Sequence, residues 1–124
     1  MNKTEEMWAW FLTAEKQTGK IVWFDFEPIT FRLTSKVPGS KRVSYTPDFL
    51  VELADGSIRI DEIKGAYVRE DSELKFKMAA DRFPCFAWRM VQLKDDGNFH
   101  LIRFIPRRNI SDRGTLAQFP KADG

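Results

Sequence analysis

The chain has 124 residues, 43% hydrophobic and 31% charged, with a formal net charge of +2; these values fit one ordinary globular domain and exclude a disordered or low-complexity chain. Cys85 and His100 are the only residues of their kinds, so an internal disulfide is impossible, and a Cys/His zinc site, a Ser-His-Asp triad and a Cys-His pair are disfavoured. Any hydrolytic chemistry has to rest on carboxylates and lysine, with or without a hard metal ion.

From the N-terminus, residues 4–17 carry Trp8, Phe11, Leu12 and Glu15 at helical spacing, with Asn2 or Thr4 as cap and Gly19 as stop. Residues 20–34 are rich in β-branched and aromatic side chains and predict a strand, with an edge, bulge or bend at Pro28. Residues 35–44 form a loop with turn residues and three cations, Lys36, Lys41 and Arg42. Residues 45–53 and 57–64 then read as a hairpin around Ala54-Asp55-Gly56. A second helix is expected over 69–83, capped by Asp71 or Ser72, with Leu74, Met78, Ala79 and Phe83 as its apolar face. Strands follow at 85–93 and 98–104, and an irregular, arginine-rich tail from Pro106. The expected order is α-β-β-β-α-β-β: an α/β fold with a mixed sheet, a single domain over 1–105 and a tail over 106–124. A crossover through the second helix makes its flanking strands parallel. No apolar run is long enough to span a bilayer and no signal-peptide pattern opens the chain, so a cytoplasmic protein is expected.

The hairpin carries acids where apolar residues should continue. A three-residue loop suits Gly56 and pairs Leu53 with Ser57, Leu50 with Ile60 and Asp48 with Glu62. Asp48, Glu62 and Lys64 then emerge on one face at one end. Two opposed carboxylates repel, and a divalent cation with oxygen preference compensates that better than Lys64 alone. On the first helix Glu5 shares a face with Trp8 and Leu12 while Glu6 turns away; the helix dipole by itself is also a sufficient reason for an acid at that position. Gly65 leaves space beside Lys64. Arg69, Lys75 and Lys77 accompany the second helix, where a solvated helix face is the plainer reading of each.

The ordered set "YTPDFLVELADGSIRIDEIKG", followed by "REDSELKFKMAADRFP", resembles the PD-(D/E)xK nuclease superfamily over residues 2–93. Within it the chain is similar to the phage endonuclease I group, which resolves Holliday junctions, and to small phage proteins sharing "NKTEEMW" and "FDFEPITFRL". The resemblance implies a restriction-endonuclease-like core and a Mg2+- or Mn2+-dependent endonuclease acting on branched or duplex DNA. It makes Asp48 and Glu62 the metal-binding acids, Lys64 the lysine of the motif and Glu5 the helix acid, with the Ile63 carbonyl as a further ligand. DNA-backbone contacts are expected from Lys36, Lys41, Arg42, Arg69, Lys75 and Lys77. It also implies a homodimer and, for a phage product, the host-cell cytoplasm. The alternatives are a nicking or repair-type nuclease, or a silent nucleic-acid- or protein-binding module on the same fold, with exposed Trp10 the feature to follow.

Overall fold

The computed structural model describes residues 1–34, 39 and 42–108. Its elements are α1 (Lys3–Gln17), β1 (Ile21–Phe26), β2 (Phe31–Arg32), β3 (Ser44–Tyr45), β4 (Phe49–Leu53), β5 (Ile58–Lys64), α2 (Glu70–Arg82), β6 (Ala87–Leu93) and β7 (Phe99–Ile105). A mixed sheet runs in the order β1-β4-β5-β6-β7, and β2 pairs with β3 in a separate two-stranded sheet. β5 and β6 are parallel, as a crossover through α2 requires; the other neighbours in the sheet are antiparallel.

The single strand expected over 20–34 is divided. Glu27 takes a left-handed φ of 49° and Pro28, next in the chain, has no N–H to give a ladder, so β1 ends at Phe26. The chain re-enters pairing at Phe31, opposite Tyr45. The strand expected over 45–53 is divided too: Tyr45 belongs to β3, and β4 begins at Phe49, after Pro47.

Alternation along the strands builds two cores on opposite faces of the sheet. Ile60, Trp88 and Met90 pack with Phe76, Ala79 and Ala80 of α2. Phe49, Val51, Ile63 and Val91 pack with Trp8 and Leu12 of α1. Phe76 and Trp88 are fully buried, and truncating such a side chain to alanine costs about 3–5 kcal/mol. Of the expected α2 face, Ala79 is buried and Met78 and Phe83 pack against the same core, but Leu74 is exposed and Phe76 and Ala80 point inward in its stead. A true helical stripe at 76, 79, 80 and 83 outcompetes the one read from Leu74. The expected cap is also corrected, since Arg69 stands at the N-cap of α2 and no side chain caps it.

At α1 the cap is Asn2, in a reciprocal box. Its Oδ1 accepts the Glu5 N–H at 2.8 Å, and Glu5 Oε1 accepts the Asn2 N–H at 2.8 Å. Trp8 and Leu12 face inward; Met7, Trp10 and Phe11 are exposed, although Phe11 still packs at a tilt on Trp8 and edge-to-face on Phe99. No helix among the described residues is long and apolar enough to cross a membrane. Of the expected tail, Arg108 is tied down: its N–H donates to Pro84 O at 2.9 Å and its guanidinium to Asp81 O at 3.0 Å. Residues 109–124 lie outside the described residues.

Candidate metal centre

The β4–β5 hairpin pairs Phe49 with Asp61, Leu50 with Ile60, Val51 with Arg59 and Glu52 with Ile58. Leu53 N–H donates to Ser57 O at 2.8 Å, Gly56 N–H donates to Leu53 O at 2.9 Å, and Gly56 has a φ of 87°. This is the three-residue loop expected, closed by a left-handed residue that glycine occupies without strain. Extending the register by one step sets Asp48 opposite Glu62, and both are 7% exposed.

Asp48 stands at a bend just ahead of β4. Its Oδ2 accepts the Ile63 N–H at 2.7 Å, so its carboxylate takes a place the ladder would have filled. Its carbonyl accepts the Glu27 N–H at 2.8 Å, which ties the site to the left-handed end of β1. Glu62 is held on both oxygens: Tyr45 donates its hydroxyl to Oε1 at 2.6 Å, and Lys64 Nζ lies 3.0 Å from Oε2. Glu5 comes from α1, with its carboxyl within charge and hydrogen-bond range of Asp48. Glu5 is half-buried and Glu6 exposed, as the helical wheel indicates.

Three acids therefore converge with one lysine. Burial is the main force pushing the Asp48 carboxyl up to about 8, the Glu62 charge adds to it, the Ile63 N–H opposes it, and Glu5 raises it further. Burial, then the Glu62 charge, holds the Tyr45 phenol far above its usual range, so it stays protonated and donates. The arrangement is a carboxylate cluster short of positive charge, in which buried Asp48 keeps its proton.

The remaining expected residues are more scattered. Ile63 contributes its N–H to Asp48 while its side chain sits in the α1-side core. A Cβ added at Gly65 would meet nothing within 4 Å, consistent with space beside Lys64. Arg42 is exposed and Lys75 is partly buried on α2. Arg69 pairs with Asp71 at 3.3 Å and Lys77 with Glu73 at 3.7 Å, both on the surface. Lys36 and Lys41 lie outside the described residues.

Three features escaped the reading of the sequence. Tyr45 looked like an ordinary strand aromatic, and its role depends on β3 folding back over β5. Gln92 donates to Gly65 O at 2.9 Å and Ala66 O at 3.1 Å, fixing the chain as it leaves Lys64; the parallel β5–β6 register that sets Lys64 beside Gln92 was needed to find it. Asp61, next to Glu62, is fully buried on the opposite face. Strand parity separates it from Glu62, and Arg59 two residues away is the one signal the sequence carried for it.

Among the described residues no three His, Cys, Asp or Glu side chains are grouped to hold a metal ion as they stand. The donor chemistry nevertheless fits a hard cation. Every donor is a carboxylate oxygen, and Glu62 uses two of roughly four lone-pair sites on Tyr45 and Lys64. No protein-family model matches the chain, and no curated protein or solved structure matches it either.

Proposed function

We propose that the chain is a metal-dependent endonuclease of restriction-endonuclease-like fold that hydrolyses phosphodiester bonds in DNA, with branched DNA as its preferred substrate. The observation that carries this reading is the meeting of Asp48, Glu62, Lys64 and Glu5 at the open end of one hairpin, inside an α/β sheet. A structural role alone does not require two buried acids opposite each other, because their repulsion has to be offset elsewhere.

Asp48 and Glu62 would hold Mg2+ or Mn2+, with Glu5 completing the set from α1. When bound, such an ion polarises a phosphate and acidifies water. Lys64 orients the attacking water or stabilises charge on the phosphoryl oxygens. Tyr45 keeps Glu62 in place by donating to Oε1 and leaves its other lone pairs for the ion. Gln92 holds the 65–66 carbonyls, so the backbone beside Lys64 keeps its course when a phosphate arrives.

One observation favours a second reading, a silent binding module: both Glu62 oxygens already have partners. A cleavage panel decides between them, using a four-way junction, flap, single strand and plain duplex with and without Mg2+ or Mn2+. Cation-dependent cutting that Lys64→Ala reduces by at least about a hundredfold, the scale of losing one charge-stabilising group, supports the nuclease. DNA binding without cutting under either ion leaves the module.

A further inference from the structure

Asp61 is a fully buried charge between two arginines. Arg59 Nε and Nη2 donate to its two oxygens at 2.7 and 2.9 Å, and Arg89 Nη2 approaches Oδ2 at 3.2 Å. The same Oδ2 accepts the Trp8 indole N–H at 3.1 Å, and the Arg89 guanidinium lies 5.1 Å from the Trp8 ring centroid. Arg89 Nε is buried without a hydrogen-bond partner, beside that aromatic ring. Ion pairing alone does not call for an indole. The Trp8 bond is the one polar side-chain tie between α1 and β5 among the described residues.

Its position gives the tie a consequence. Trp8 follows Glu5 by three residues on the same helix face, and Asp61 immediately precedes Glu62 on β5. One strand thus carries both a proposed cation ligand and, on its other face, the anchor of the helix that delivers the third acid. The capping box orients the Glu5 side chain locally, but it does not set where α1 sits on the sheet. Packing of Trp8 against Phe99 and Phe11 restrains the ring from sliding, and the indole bond fixes its azimuth.

We infer that Asp61 and Trp8 are positioning residues: their bond, backed by Arg59 and Arg89, sets the placement of α1 that brings Glu5 beside Asp48. The inference rests on the proposed cation site for its functional meaning. Asp61 never touches the cation or the substrate; it acts through Trp8 and Glu5.

The test uses Trp8→Phe, which keeps an aromatic ring while removing the N–H together with part of the indole's volume, because Asp61 variants strand two arginines and can fail to fold. Calorimetric titration with Mn2+ is run on wild type, Trp8→Phe, Glu5→Gln and the double variant, with Met78→Ala as a control for general destabilisation on the α2 side. Hydrogen exchange of the α1 amides, without metal, is measured on the same proteins. Trp8→Phe should weaken Mn2+ binding by about tenfold, the usual scale for a residue supporting a ligand from behind. The double variant should be no weaker than Glu5→Gln, since both act through one group. Exchange should quicken in α1 for Trp8→Phe and not for Met78→Ala. Wild-type affinity in Trp8→Phe, or losses that multiply in the double variant, would overturn the positioning role. A wild-type protein that takes no Mn2+ refutes the proposed function instead, and α1 exchange unchanged in Trp8→Phe then refutes the anchor as well.

Discussion

Asp61 and Glu62 are neighbours in sequence, both are buried, and they project to opposite faces of the sheet. On the α1 side Asp61 is compensated twice over by charge, with Arg59 and Arg89, and once by an indole N–H. On the other face Glu62 has one lysine and one phenol, and Asp48 and Glu5 crowd the same end of the hairpin. A buried charge costs several kcal/mol unless partners meet it. Where the partners are complete, the carboxylate is an anchor. Where carboxylates outnumber cations, Asp48 keeps its proton, and under the proposed function a metal ion offsets the excess negative charge.

Removing each side of this contrast should give different results. Asp61→Ala leaves two partly buried guanidinium groups without their shared carboxylate, and should destabilise the fold by about 3–5 kcal/mol in urea titration. A loss below 1 kcal/mol would mean the arginines find solvent and the anchor is dispensable. Tyr45→Phe takes one donor from Glu62 and should cost about 1.5–3 kcal/mol, the range for a hydrogen bond to a charged group. It should also loosen cation binding, which Asp61→Asn reaches only through α1.

Asp48 should respond with the opposite sign. Its carboxyl is raised from 3.8 to about 8, so across that window the folded chain keeps a proton that the unfolded chain has released. Stability from this group is therefore greatest below pH 4 and declines as pH rises to about 8. Asp48→Asn keeps an acceptor for Ile63 N–H and should remove the decline. Its melting temperature at pH 8 should rise by about 3 °C or more, the shift expected from roughly 1 kcal/mol in a domain of this size. A flat wild-type profile between pH 5 and 8 would show that the three acids are not crowded. The smallest effect belongs to the surface: Lys77→Ala removes an exposed lysine from its pair with Glu73, which Arg103 also meets, and should change stability by less than about 0.5 kcal/mol.

Much of the site was legible because strand parity and turn chemistry are local rules. Gly56 called for a three-residue loop, the loop set the register, and the register set Asp48 opposite Glu62. The inward turn of Glu5 followed from helical spacing. Local rules failed where two stretches compete or meet. Leu74 and Phe76 offer rival stripes on α2, and packing against Trp88 chose the second. Pro28 signalled a break, but not that β2 would leave the main sheet and pair with β3, which carries Tyr45.

By itself, then, the sequence determined the class of fold, the hairpin register and the grouping of Asp48, Glu62 and Lys64, since these follow from local periodicity and from one hairpin with a short turn. Tertiary structure alone decided which charges became anchors. Arg89, Trp8 and Asp61 come from β6, α1 and β5, and Tyr45 reaches Glu62 across 17 residues. Their energies exist only when distant segments share a low-dielectric interior, and no pattern within one segment encodes that meeting.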